Sequence, residues 1–494
     1  MLKYQAMPVR IYNSLTHEKE AFAPVTEGQV RLYVCGVTAY SDSHIGHARS
    51  AIVFDVISRY LRASGYDVIY VRNFTDIDDK IINRANAEKR NWKEVADAYI
   101  DSFRLDMAAL GVLPPTHEPR ATEHIADMIA LIEDLVDKGF AYPAHGSVYF
   151  SVSKDKGYGE LSGRTLDEMM AGARIDVDDR KKDPLDFVLW KESKPGEPAW
   201  DSPFGKGRPG WHIECSTMSI KYLGCPFDMH GGGKDLLFPH HENERAQAEC
   251  ATGRRFVNYW VHNGFVTMDR EKMSKSLGNI LLIKDFLKVY HADVLRLFFL
   301  SAHYRNPVDY AENNVESADS ALRRLYATLE RVSGTKGLDD APQEGNVELD
   351  GLEQRFYAAM DDDFNTALAL SSIFDLATTI NRMMDEGDPA HLPFIAKGRG
   401  LLLSLARLLG LLTQEVETFT RDESRRHLIA VGLDESTIED AIKTRIEARR
   451  NKDYTQADEI RNGLLKKASP CSILRREQNG GSRSDGARHT IVLW

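Results

Sequence analysis

The 494-residue chain is predicted to be an α/β protein that ends in a mostly helical part. Two observations predict this. Strand-like and helix-like runs alternate from about residue 20 to 115, as they do in α/β units. From about residue 311 to 412 the apolar pattern becomes helical, as in Ala321-Leu322-Arg323-Arg324-Leu325-Tyr326-Ala327-Thr328-Leu329.

The first strand is expected over Val30-Arg31-Leu32-Tyr33-Val34-Cys35-Gly36, an apolar run that ends in glycine. A helix is expected over Ala48-Arg49-Ser50-Ala51-Ile52-Val53-Phe54-Asp55-Val56-Ile57, and a second strand over Asp67-Val68-Ile69-Tyr70-Val71. Pro114-Pro115 breaks the chain. A mixed segment follows to Trp190-Lys191 and runs into a Pro/Gly-rich stretch at 194–210, which reads as an insertion. The helical part is interrupted near 334–345, and Asn365 or Asp363 is expected to cap a helix. The expected divisions are 20–118 and 201–250 for the two halves of the α/β domain and 119–200 for the insertion. They continue with a connecting region at 251–312, a helical bundle at 313–420 and a small domain at 421–494.

Between the first strand and its helix lies His44-Ile45-Gly46-His47. A strand-to-helix turn offers backbone N–H groups to an anion, and Gly46 leaves room for close approach. Far downstream, Lys272-Met273-Ser274-Lys275-Ser276 sits between Gly264 and Gly278 and presents two ammonium groups. These two motifs resemble the HIGH and KMSKS motifs of class I aminoacyl-tRNA synthetases. The resemblance implies a doubly wound, Rossmann-type parallel sheet that binds ATP at the carboxyl ends of its strands. It implies that His44, Gly46 and His47 contact ATP, and that Lys272, Ser274 and Lys275 hold its phosphates, His44, His47, Lys272 and Lys275 being the catalytic set. Catalysis is then positioning plus stabilisation of charge on the transferring phosphate, with Mg2+ accompanying the ATP. No Gly-x-x-x-x-Gly-Lys-Ser loop occurs.

Cys35, Cys215, His240 and Glu244 form a second constellation. Residues four apart share a helix face, so His240 and Glu244 can meet one ion while His241 points elsewhere. Two thiolates, an imidazole and a carboxylate suit tetrahedral zinc. The spacing matches no compact zinc finger, and the residues alone favour two buried cysteines and a helical surface pair. The surrounding blocks, GWHIECS, MHGGGKDLLFPHHENE, CGVTAYSDSHIGHAR, NFTDIDDKII and EKMSKSLGN, closely resemble the cysteinyl-tRNA synthetase family from about Tyr12 to about Arg461. That resemblance implies one zinc ion on these four residues in a cysteine pocket. It also implies Thr75, Trp211, His230 and Asp235 around the substrate, with Thr75 and Asp235 receiving its ammonium, and Gly231-Gly232-Gly233 as a loop under the adenylate. A zinc-bound thiolate distinguishes cysteine from serine, which an apolar pocket cannot do strongly.

The net charge of −11 disfavours non-specific nucleic-acid binding, but placement matters more than the sum. From Lys443 onward there are twelve Lys/Arg against six Asp/Glu, an excess of six. This includes Arg445, Arg449, Arg450 and Lys452 at helical spacing. The block around them resembles the family's anticodon-binding module and implies tRNA contacts at Arg449, Arg450 and Lys452. After Leu465 the Gly/Ser/Arg-rich tail departs from the family pattern, and a shifted reading frame is one explanation. Five cysteines suit a reducing cytoplasm, and no signal-like or membrane-length apolar segment is expected. The expected protein is a cytoplasmic monomer whose partners are cysteine, ATP and tRNA. Two rivals are a cysteine ligase with an amino-sugar acceptor and a catalytically silent RNA-binding paralogue.

Overall fold

In the computed structural model, which describes residues 8–165, 168, 180–268, 271–272, 280–338, 341–342, 346–430 and 435–463, a hairpin opens the chain. Its strands are β1 (Arg10–Asn13) and β2 (Glu18–Ala21). Strand β3 (Gln29–Thr38), helix α1 (Ile45–Ala63) and strand β4 (Asp67–Thr75) form a parallel strand–helix–strand unit, followed by α2 (Asp79–Glu88) and α3 (Trp92–Ala109). The insertion carries α4 (Ile125–Asp137) and an antiparallel sheet of β5 (Ala141–Ala144), β6 (Ser147–Phe150), β7 (Phe187–Glu192) and β8 (Gly207–Pro209). The chain then returns through α5 (Trp211–Leu223), β9 (Phe227–Gly233), α6 (Glu242–Thr252) and β10 (Val257–Asn263).

The central sheet has the order β10-β9-β3-β4, and every pair is parallel. The chain first moves from β3 to β4, then reappears on the other side of β3 as β9. The switch point therefore lies between the carboxyl ends of β3 and β9, where open α/β sheets bind ligands. Helices cover both faces, as the consecutive glycines of β9 reveal. A Cβ on Gly231 would stand 2.2 Å from the Phe54 ring of α1, and one on Gly232 would stand 2.8 Å from His241 on the opposite face. The triple glycine is thus strand, paired with Val261, His262 and Asn263, and not the expected loop. Both faces come too close for side chains there.

Beyond β10 comes a small sheet of order β12-β11-β13, built from β11 (Val266–Met268), β12 (Glu271–Lys272) and β13 (Val308–Tyr310). Helices α7 (Ile283–Val289) and α8 (Ala292–Leu300) lie between its second and third strands. The bundle follows as α9 (Glu312–Ser333), α10 (Val347–Asp361), α11 (Thr366–Glu386) and α12 (Leu392–Leu408), and then α13 (Val416–Ala430) and α14 (Glu435–Arg450). Asn365 caps α11 by accepting from the Leu368 amide, whereas Asp363 turns inward to accept from Tyr304, Arg305 and the Tyr12 amide. The odd tail after Leu465 lies outside the described residues.

One buried ion pair ties these parts together. Arg296 of α8 and Asp55 of α1 are 0% and 2% exposed and meet at 2.7 Å. Arg296 also donates to the carbonyls of Leu110, after α3, and Leu409, after α12, both at 3.2 Å. The second oxygen of Asp55 accepts from the Leu113 amide at 3.0 Å. Removing one partner of such a pair leaves a buried charge and orphaned carbonyls. Arg296→Ala is expected to lower stability by about 3–5 kcal/mol in a urea titration. Arg59→Ala, whose guanidinium meets the same Asp55 from a more exposed position, is expected to cost less.

Candidate active site

The turn before α1 is capped by its own histidines. His44 has extended backbone, and its Nδ1 accepts from the Gly46 amide at 3.2 Å. The His44 amide in turn donates to His47 Nδ1 at 3.2 Å, and the two rings stack with centroids 3.8 Å apart. With both Nδ1 atoms accepting, the proton of each neutral ring sits on Nε2. The first turn of α1 contains no acidic residue to oppose the helix dipole. A cavity of about 360 Å³ opens at the switch point, lined among others by Cys35, His44, Gly46, His47, Trp211 and Asp235.

The lead-out from the Lys272 loop is pinned to this turn. Leu282 bridges His44, the Ile45 amide donates to Leu281, and the Ile283 amide donates to Ser43. Lys284 pairs with Asp42, which also accepts from Ser102 at 2.9 Å. Lys272 falls in β12, while Ser274 and Lys275 lie outside the described residues.

Behind the cavity, donor atoms of Cys35, Cys215, His240 and Glu244 all lie within 4.8 Å of one another. Cys35 comes from β3 and Cys215 from the second turn of α5. His240 lies in a wide turn over Leu237–His241 that precedes α6, and Phe238 within it is extended, so His240 is not on the regular helix. It still reaches Glu244 at 2.9 Å. Gly36 lets β3 and β4 close tightly here, since a Cβ would stand 1.6 Å from the Asn73 carbonyl oxygen. A second group, Cys35, His230, His241 and Glu244, is equally close. The first set suits a soft ion better because it offers two sulfurs. In the second set His241 has a partner outside the cluster, its Nδ1 lying 2.8 Å from His262, which meets Ser14, while His230 Nε2 lies 2.8 Å from the Glu244 oxygen that His240 does not use.

The charges of the pocket are mutually dependent. Burial opposes ionisation of Glu244, yet His230 and His240 hold it well below the usual carboxylate range. His240 is driven down by burial but raised to about 10 by Glu244 and Cys215. Burial also pushes Cys35 up, whereas its hydrogen bond to Cys215, with help from His240, brings Cys215 to about 6 against burial. His212, His241 and His262 are held low by burial and remain neutral. This protonated network can exchange its protons for one cation.

Of the expected substrate residues, Trp211 and Asp235 line the cavity. Trp211 is 40% exposed and stacks on His240 at 4.2 Å. Thr75 and His230 do not line it. The Thr75 hydroxyl donates to Glu214 at 2.6 Å in the interior, and His230 is buried, stacked on Trp260 and bonded to Glu244. Sequence reasoning missed His212, whose Nδ1 is 2.7 Å from that of His240, and the His241–His262 pair. The signal available was the density of histidines between positions 212 and 262. Arg449, Arg450 and Lys452 are exposed at the end of α14 and just beyond it.

Residues 21–320 match the family described as "tRNA synthetases class I (C) catalytic domain", and residues 355–413 match the DALR domain. A cysteine–tRNA ligase of Geobacter metallireducens is 52% identical over 469 residues, covering 93% of this chain and 97% of that protein. The chain belongs to the cysteine–tRNA ligase family. The corresponding protein of Geobacter sulfurreducens is 52% identical over 463 residues, covering 93% of this chain and 96% of its own. Among solved structures, methionyl-tRNA synthetase of Mycobacterium tuberculosis with methionyl-adenylate has a similar fold, at a TM-score of 0.59 and 18% identity. It covers 83% of this chain, which covers 94% of it. Neither the amino-sugar ligase nor the silent paralogue gains support from these matches. No helix among the described residues is long and apolar enough to cross a membrane.

Asp106 of α3 faces the Asp42–Lys284 pair and has one buried carboxylate oxygen without a partner among the described residues. Burial, then the Asp42 charge, raises its pKa to about 6. A carboxyl with a raised folded pKa contributes stability below its unfolded value, and that contribution is lost as pH rises through 6. Asp106→Asn is expected to match the unsubstituted chain in thermal midpoint near pH 4. At pH 7.5 it should melt about 2–4 °C higher, as scanning calorimetry at the two pH values would read.

Proposed function

We propose that this chain is an ATP-dependent cysteine–tRNA ligase that forms cysteinyl-adenylate and transfers the cysteinyl group to the 3′ end of its tRNA. One observation carries this reading. The four-donor cluster of Cys35, Cys215, His240 and Glu244 opens, through Cys35, into the same cavity as His44 and His47. A thiol-selecting group thus stands beside the positive end of a helix that is capped by two imidazoles.

The residues present fit a zinc ion, which when bound supplies a Lewis acid for the substrate sulfur as thiolate. Cys35, Cys215, His240 and Glu244 hold the ion, and His230 orients Glu244 through its free oxygen. Trp211 covers His240 and walls the side-chain pocket, while Asp235 receives the substrate ammonium. The carboxylate of cysteine attacks the α-phosphorus of ATP, and pyrophosphate leaves. His44 and His47 donate from Nε2 to the triphosphate, whose Mg2+ arrives with it. Gly46 admits the nucleotide, and Lys272, Ser274 and Lys275 steady the departing pyrophosphate. No protein nucleophile is needed, so the rate rests on positioning. The DALR domain and the Arg449, Arg450 and Lys452 surface meet the tRNA. The protein acts as a cytoplasmic monomer.

Cysteine-dependent ATP–pyrophosphate exchange, followed by charging of tRNA, tests the reading, and exchange with serine but not cysteine would sink it. Cys215→Ser is expected to reduce zinc content and cysteine-dependent exchange together, each by at least about tenfold. Unchanged exchange in a zinc-depleted variant would reject the metal assignment.

A further inference from the structure

Arg49, on the second turn of α1, is 1% exposed, yet among the described residues no carboxylate lies within ion-pair distance of it. Its guanidinium instead reaches three backbone carbonyls. Nη1 donates to Phe265 at 3.1 Å, and Nη2 donates to Tyr304 at 3.2 Å and to Asn306. Burial lowers its pKa to about 10, which still leaves it charged at neutral pH. An apolar side chain at this position would avoid the desolvation cost. What a planar fork of donors adds is geometry.

The three carbonyls belong to two segments that enter the small sheet side by side from this point. Phe265 leads directly into β11, which pairs with β12 through Thr267 opposite Lys272. Tyr304 and Asn306 lead into β13, which pairs with β11 on its other edge. Gly264, Phe265 and Val266 also line the cavity, together with His47 and Ser50. The lead-out of the same loop is pinned to Ser43 and Ile45. Helix α1 thus holds both ends of the Lys272 loop, through Arg49 on one side and its N-terminal turn on the other. The grip continues into the bundle. Tyr304 and Arg305 each donate at 2.7 Å to Asp363, which is 0% exposed in the connection between α10 and α11.

We infer that Arg49 is a positioning residue for adenylate formation, fixing the strand that delivers Lys272 against the helix that carries His44 and His47. The inference rests on the ligase reading above. A displacement of about 1 Å in such a clamp costs about a hundredfold in rate without touching the amino-acid pocket. Lysine keeps the charge but replaces the fixed planar fork with a single point of donors on a flexible stem.

Arg49→Lys is therefore expected to lower kcat for cysteine-dependent pyrophosphate exchange by about tenfold to a hundredfold. KM for cysteine and zinc content should stay within about twofold. Asp363→Asn, which loosens the Tyr304 and Arg305 side chains from the bundle side, should give a smaller loss of the same kind, about threefold to tenfold. A kcat within about twofold of the unsubstituted chain, or a parallel loss of cysteine affinity and zinc, overturns the inference. Should Arg49→Lys fail to fold, Asp363→Asn decides alone by the same criteria. Absence of cysteine-dependent exchange in the unsubstituted chain overturns the ligase reading itself and the clamp with it. Normal exchange there, with an unaffected Arg49→Lys, removes only the clamp.

Discussion

The buried pair of Asp55 and Arg296 is the constraint on which the rest of the architecture depends. It fixes α1 to α8 and, through the carbonyls of Leu110 and Leu409, to the ends of α3 and α12. A charge pair in the interior seldom adds much net stability over well-packed apolar residues. It does require one arrangement of four chain segments, because any other leaves a charge or a carbonyl unpaired. Helix α1 needs such a fixed setting. Its Phe54 packs against Gly231 of β9, its second turn carries Arg49, and its first turn lines the cavity.

The cysteine-rich end of the cavity follows a different electrostatic rule. There a buried charge is tolerated only where neighbours donate to it or carry the opposite charge. Glu244 stays ionised because His230 and His240 surround it, and Cys215 does so because Cys35 and His240 donate to it. Two nearby imidazoles, His241 and His262, remain neutral and connect the pocket to Ser14 by short hydrogen bonds. The polar cluster is therefore cooperative, and its members are not independent contributors.

Features set by local sequence were legible in advance. The first strand, the turn at His44 and the helix after it follow from apolar periodicity, and α9 to α12 follow from helical spacing. Features that depend on distant chain were not. Arg49 finds its carbonyls more than two hundred residues away, and nothing in the local pattern marks it. Asp363 reads as a helix cap, but its partners lie in β1 and after α8. Thr75 and His230 sit in blocks that resemble a substrate pocket, yet each points into the interior, where Glu214 and Glu244 compete for its hydrogen bond. The triple glycine reads as a loop because composition does not reveal that Phe54 and His241 press on its two faces. The four possible ligands are legible only through family resemblance, since Cys35 lies on a strand and Cys215 on a helix far along the sequence.

The stacked imidazoles of His44 and His47 give the motif spacing a second meaning. A helix that begins with serine or aspartate satisfies its first amides with a side chain that has little else to do. Here each ring satisfies, or is held by, the backbone through Nδ1 and presents Nε2 at its other edge. The three-residue interval is therefore both a capping register and a chemical one. The start of the helix and the aim of the two Nε2 edges are one geometric event.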